Sequence, residues 1–165
     1  MDLTSKLVSQ FTLAYNQYAD ALFRYCYFKT SDRELAKDLV QQTFLQAWNY
    51  LQAGQKIKDF KPFLYRIAGN LVIDWYRKRK EESLDSLASG GLQLADNRQD
   101  PIDQAEIALV LKTLDKLDVG DKELIIWRHI EGLSIKEISA IISETENTVS
   151  VRLHRALQKL RDLLN

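Results

Sequence analysis

The sequence predicts an all-α protein: two small helical domains joined by a flexible acidic linker. Apolar residues recur at spacings of three and four along both halves, and no stretch alternates apolar with polar residues as a half-buried strand does. The 165 residues hold 6 Gly and 2 Pro, and Gly90, Gly91 and Pro101 fall together in one segment. Charge is partitioned in the same way. Residues 1–80 carry 13 Lys and Arg against 7 Asp and Glu, residues 81–104 carry 1 against 6, and residues 105–165 carry 9 against 10. The expected organisation is therefore a first domain over 1–80, a linker over 81–104 and a second domain over 105–165. The net charge of zero hides a basic first half that suits a polyanionic partner.

In the first domain, helical patterns begin at about Ser5. Asn16 to Lys29 places Tyr18, Leu22, Tyr25 and Phe28 at helical spacing. Ser31 and Glu34 read as a capping box that opens a second helix. That helix carries Ala36, Val40, Phe44, Ala47, Trp48 and Leu51 on one apolar face, with Lys37, Asp38, Gln41 and Gln42 opposite. Such a polar face is either solvated or a seat for a partner helix. A third helix follows Pro62, with Phe63, Leu64, Ile67, Leu71 and Trp75 expected inward. It ends in Trp75-Tyr76-Arg77-Lys78-Arg79-Lys80. Aromatic faces beside cations can hold single-stranded nucleic acid, or the bases can simply complement the helix dipole.

From composition the linker, residues 81–104, reads as a soluble acidic tether. After it, the chain from Ser134 to Arg161 reads as two helices with a sharp corner between them. Ser134 and Glu137 form a capping box, and Ile135, Ile138 and Ile141 or Ile142 face inward. The second of the two helices starts at about Thr145 and turns Val149, Leu153, Ala156, Leu157 and Leu160 inward. Thr148, Ser150, Val151, Arg152, His154 and Arg155 face outward or flank that stripe. This is the layout of a helix-turn-helix whose second helix lies in a DNA groove. From spacing alone, plain core packing stays open beside it. Ser143 stands where Gly is usual at such a corner and Glu144 where an apolar residue is common. Glu144 and Glu146 would repel phosphate, or would favour the positive end of the helix dipole.

The same chain offers little to enzyme chemistry. Cys26 is the one cysteine, so no internal disulfide forms; it reads as a small buried hydrophobe, with a redox switch as the alternative. His129 and His154 are the two histidines, with no Cys or carboxylate at metal-ligand spacing, and no Gly-rich phosphate loop occurs. No catalytic residue, metal or cofactor is expected, and His129 is expected to pack in the apolar Leu124–Ile130 run. The apolar runs are too short to span a bilayer, and the N-terminus has no basic stretch ahead of an apolar core. The expectation is a cytoplasmic protein without membrane insertion.

Taken together the pieces resemble a known family. Asp38-Leu-Val-Gln-Gln-Thr-Phe-Leu-Gln-Ala-Trp48, Phe63-Leu-Tyr-Arg-Ile-Ala-Gly-Asn70 and Asp74-Trp-Tyr-Arg-Lys-Arg79 look like conserved region 2 of bacterial sigma factors. Thr148-Val149 and Arg152-Leu-His-Arg-Ala-Leu-Gln-Lys-Leu-Arg161 look like region 4. Two such domains with no region 1.1 and no folded region 3 match the extracytoplasmic-function (group IV) branch of the sigma-70 family. The resemblance implies a transcription initiation factor that binds core RNA polymerase, directs it to promoter DNA and helps melt the minus-ten element.

It also implies site residues. Asp38, Leu39, Gln41, Gln42, Phe44 and Trp48 match the helix that docks on the β′ clamp helices of polymerase; the second domain is expected to meet the β flap. Arg66, Asn70, Asp74, Trp75, Tyr76, Arg77, Lys78 and Lys80 match the segment that opens the minus-ten element, with Asn70 near the capture of a flipped base. An amide offers both donor and acceptor to a base edge. Thr145, Asn147, Thr148, Ser150, Val151, Arg152, His154 and Arg155 match the minus-35 reading helix. Ser150 replaces a common Lys or Arg and Val151 a small polar residue, which leaves thymine methyls and DNA shape as sources of specificity. An anti-sigma factor is an implied partner. The competing reading is a free-standing helix-turn-helix regulator that binds duplex DNA as a homodimer without polymerase. It leaves the Asp38–Trp48 face and the Asn70–Lys80 string without a use.

Overall fold

Every regular element is helical among the residues that the computed structural model describes, 2–83, 105, 109–110 and 112–165. The expected linker lies almost wholly outside them. The chain divides into two compact units, on either side of the Ala95–Asp96 bond. No helix among the described residues is long and apolar enough to cross a membrane.

The first unit is built from α1 (Leu3–Thr30), α2 (Arg33–Gln52) and α3 (Phe60–Ser83). α1 begins at Leu3, close to the expected start at about Ser5. Its first turns carry Leu3, Val8 and Leu13 on the surface. No Gly or Pro interrupts them, and the helix simply runs on. It stops at Ser31, a left-handed residue (φ 54°) whose N–H donates to the Tyr27 carbonyl at 2.8 Å.

The expected Ser31–Glu34 capping box therefore does not form. Asp32 caps α2 instead, its Oδ1 accepting the Leu35 N–H at 3.0 Å. A two-residue corner needs one residue to end the first helix and the next to begin the second, and Asp caps as well as Ser does. The α2 face emerges as expected, with Ala36, Val40, Phe44, Ala47 and Leu51 buried and Trp48 at its edge. Thr43 also enters the core, because its hydroxyl donates to the Leu39 carbonyl at 2.7 Å and carries no unmet polar group inward. Phe44 packs between Phe11 (ring centroids 5.9 Å apart, nearly perpendicular) and Tyr15 (4.8 Å) of α1.

α3 starts before Pro62, with Asp59 accepting the Lys61 N–H at 3.1 Å. Its buried stripe is turned from the expected one. Leu64, Tyr65, Ala68 and Val72 are buried, whereas Phe63, Ile67, Leu71 and Trp75 are only half-buried. Ala68 and Gly69 are both buried, and Tyr65 sets its ring edge-on to Tyr25 of α1 at 5.5 Å. Two small residues thus share the inner face with Leu64, Tyr65 and Val72, and Phe63, Ile67, Leu71 and Trp75 line its rim.

The second unit comprises α4 (Val119–Ile125), α5 (Ile135–Ile142) and α6 (Glu146–Leu164). Asp118 caps α4, accepting the Asp121 N–H at 2.9 Å. α4 widens into a π turn over Ile126–Ile130, where the Glu131 N–H donates to the Ile126 carbonyl at 2.9 Å. That turn changes the expected packing. Ile126 and Trp127 are buried, but Arg128, His129 and Ile130 face solvent, so His129 does not pack in the core.

Candidate nucleic-acid interface

In the first unit, α2 presents Asp38, Gln41 and Gln42 on its exposed side. Leu45 joins them at helical spacing, with 58% of its surface exposed. Sequence periodicity missed Leu45, since a lone apolar residue on a polar face carries no signal. Leu39 and Phe44, expected on the same docking surface, are each only 4% exposed and belong to the core. Trp48 is half-buried, its ring 5.1 Å from Phe11.

α3 sorts its expected residues onto different sides. Arg66, Asn70, Arg77 and Lys80, with Ile73 between them, recur at spacings of four, three, four and three and form one exposed stripe. Asp74 flanks it and lies 3.7 Å from the Arg77 guanidinium. Trp75 lies about 140° around the helix from Asn70, five residues on at about 100° per residue. Its ring is covered by the Arg79 guanidinium at 5.1 Å and met edge-on by Tyr76 at 4.8 Å. The Tyr76 hydroxyl donates to the Lys29 carbonyl, which ties the second half of α3 to the end of α1. Lys78 is exposed off the stripe. Asn70 thus shares a face with cations and one aliphatic side chain, while the two aromatics are engaged elsewhere.

In the second unit the corner forms as the residues predict. Ser134 Oγ accepts the Glu137 N–H at 3.0 Å, and Glu137 Oε1 accepts the Ser134 N–H at 3.3 Å. Ile138 and Ile141 are buried, with Ile135 and Ile142 at the rim. Ser143 takes the left-handed conformation (φ 56°) that Gly would otherwise supply. Thr145 caps α6, its Oγ1 accepting the Thr148 N–H at 3.1 Å. Val149, Leu153 and Ala156 are buried, and Leu157 and Leu160 are half-buried.

The outward side of α6 consists of Asn147, Ser150, Val151 and His154, flanked by Thr148 and Arg155, all exposed. Arg152 is not on it. Its Nη1 donates to Glu144 Oε1 at 3.0 Å, and both side chains are a little over one-third exposed. Glu144, read from the sequence as either repelling phosphate or favouring the helix dipole, is instead paired with Arg152 at the corner. Glu146 is exposed in the first turn of α6, where the helix dipole favours it. Among the described residues no group of three or more His, Cys, Asp or Glu side chains converges as a metal site, and Cys26 is a buried thiol.

Comparison with known proteins decides the family. Residues 14–82 match Sigma-70 region 2, and residues 104–160 match Sigma-70, region 4. The chain belongs to the extracytoplasmic-function branch of the sigma-70 family. It is 32% identical over 152 residues to the ECF RNA polymerase sigma factor SigM of Bacillus subtilis, covering 92% of this chain and 93% of that one. The RNA polymerase sigma factor CnrH of Cupriavidus metallidurans is 34% identical over 139 residues, covering 78% and 72% of the two chains. Among solved structures, CnrH in complex with the cytosolic domain of CnrY superposes with a TM-score of 0.68 at 28% identity, over 93% of this chain and 86% of that one. RpoE in complex with the anti-sigma factor NepR from Bartonella quintana gives 0.69 at 26% identity, over 94% and 96%.

This protein is thus an RNA polymerase sigma factor. The region 2 match takes in the exposed faces of α2 and α3, and the region 4 match takes in the corner and the outward side of α6.

Proposed function

We propose that this sigma factor joins core RNA polymerase, directs it to specific promoters and helps open the minus-ten element so that transcription begins there. The exposed α3 stripe of Arg66, Asn70, Ile73, Arg77 and Lys80 carries this reading. Cations at its ends track the phosphates of a displaced strand, Asn70 addresses the edge of an unpaired base, and Ile73 offers that base an apolar neighbour. No bond to the base is made or broken. Binding the extruded strand offsets an unstacking cost on the order of a few kcal/mol.

In this reading Asp38, Gln41, Gln42 and Leu45 of α2 meet the β′ clamp helices, and the second unit meets the β flap. The outward side of α6, Asn147, Thr148, Ser150, Val151, His154 and Arg155, addresses the minus-35 element. With Arg155 as its one strong cation, that side reads thymine methyls through Val151 more than it grips phosphate. The protein works in the cytoplasm, where polymerase is, and performs no catalysis of its own. The complexes of CnrH with the cytosolic domain of CnrY and of RpoE with NepR support an anti-sigma factor as a further partner.

The test is transcription by bacterial core polymerase on a pool of promoter fragments, with the full chain and with an Asp38→Ala/Gln41→Ala variant. The expected result is promoter-dependent transcripts that fall at least tenfold in the variant, with its unfolding temperature unchanged. Duplex binding by the chain alone, without association with core polymerase, would overturn the proposal in favour of a free-standing regulator.

A further inference from the structure

One guanidinium joins three segments of the second unit. Arg152 stands eight residues beyond Glu144, two turns into α6, and donates to Glu144 Oε1 at 3.0 Å. Glu144 belongs to the corner between α5 and α6, where its N–H donates to the Ser139 carbonyl at 3.2 Å. The other side of the guanidinium lies against the first turn of α4: a Cβ on Gly120 would stand 3.2 Å from Arg152 Nη2. Glu144 Oε2 is closed off from solvent and has no hydrogen-bond partner among the described residues, so Oε1 is the oxygen through which this partly exposed carboxylate meets Arg152.

A pair this exposed adds little to stability. What it does supply is geometry. The side-chain tips of a helix lie about 5–6 Å from its axis, so turning α6 by about 10° moves each of them about 1 Å. Reading a base edge tolerates no more than that. A salt bridge spanning the corner, backed by α4, resists such a turn.

We infer that Glu144 and Arg152 are a positioning pair that sets the rotation of α6 about its own axis, and that Arg152 itself touches neither base nor phosphate. The inference rests on the proposed reading of α6 as the minus-35 helix. It gives the acidic residue at the corner a use, and it assigns sequence selectivity to a residue on the inner flank of the helix.

The experiment uses polymerase holoenzyme assembled with the full chain, on a selected promoter and on fragments with single-base changes in its minus-35 element. Variants are Glu144→Ala, Arg152→Gln and the charge swap Glu144→Arg/Arg152→Glu. Each single variant is expected to reduce the preference for the selected element several-fold while the salt dependence of binding keeps its slope, because no phosphate contact is lost. The swap is expected to restore much of the preference. If the swap does not fold, Arg152→Lys serves, keeping the charge without the fork: the slope stays and the preference falls.

A purely structural role would instead lower the unfolding temperature and weaken binding to all fragments in proportion, leaving the preference intact. That outcome overturns the inference. So does tighter binding by Glu144→Ala together with a salt slope reduced by about one in Arg152→Gln, which would make Arg152 a phosphate contact held back by Glu144. A wild-type holoenzyme with no preference at the minus-35 element would instead bring down the reading of α6 on which the pair depends.

Discussion

Lys159 Nζ lies 2.6 Å from Asp121 Oδ2, joining the second half of α6 to the first turn of α4 across 38 residues of sequence. Asp118, the cap of α4, stands 3.6 Å from the same ammonium. The long helix α6 is therefore held at two places, by Arg152 near its start and by Lys159 further along. Both contacts reach the turn where α4 begins.

This arrangement sets a pH dependence. Asp118 is held below its ordinary 3.8, chiefly by the hydrogen bond from the Asp121 N–H, with the Lys159 charge adding to it. Lys159 is held above its ordinary 10.5, chiefly by its hydrogen bond to Asp121. A carboxylate with a lowered pKa contributes stability above its unfolded value and loses it as pH falls through the folded one. A raised lysine contributes below its unfolded value and loses it as pH rises through the folded one. Both contributions are present at neutral pH. Asp118→Asn keeps a capping side chain but cannot ionise. Its unfolding temperature should fall below that of the wild type at neutral pH, and the gap should close as pH drops below 3.8. A gap independent of pH would contradict the role given to the charge.

Tyr76→Phe tests the tie between α3 and α1. Loss of the hydrogen bond to the Lys29 carbonyl should cost about 0.5–1.5 kcal/mol, read by denaturant unfolding of the full chain. Minus-ten opening should be affected less than by changes at Asn70, because Tyr76 lies to the side of the exposed stripe. A larger loss of opening than of stability would place the ring against DNA.

Leu45→Ser tests the docking face. The side chain is mostly exposed, so stability should stay within about 0.5 kcal/mol of the wild type. Affinity for core polymerase should fall about tenfold, equivalent to about 1.4 kcal/mol. An unchanged affinity would leave the face to Asp38, Gln41 and Gln42 alone.

Much of the fold was legible because local chemistry is strong at particular places. Ser134 with Glu137 announces α5, Thr145 announces α6, and the α2 stripe from Ala36 to Leu51 repeats faithfully. Where the sequence misleads, two residues compete for one job or a side chain acts at a distance. Ser31 and Asp32 both suit a cap, and only the left-handed turn at Ser31 assigns them. In α3 the large apolar residues at 63, 67 and 71 outvote Ala68 and Gly69 in any periodicity count, yet the two small ones are buried and the three large ones line the rim. By spacing, Arg152 faces outward or flanks the buried stripe of α6. Its engagement with Glu144 depends on a corner and on Gly120, 32 residues upstream, which no local pattern registers.

Asn70 gives the most direct test of the central claim, that one face of α3 opens the minus-ten element. Permanganate reactivity of unpaired thymines would be measured in promoter complexes formed by holoenzyme carrying the wild type or Asn70→Ala. The wild type should expose reactive thymines in the minus-ten element. The variant should reduce that reactivity about tenfold or more while keeping core association and unfolding temperature, since Asn70 is on the surface. Equal reactivity in the two complexes would contradict the assignment of melting to this face.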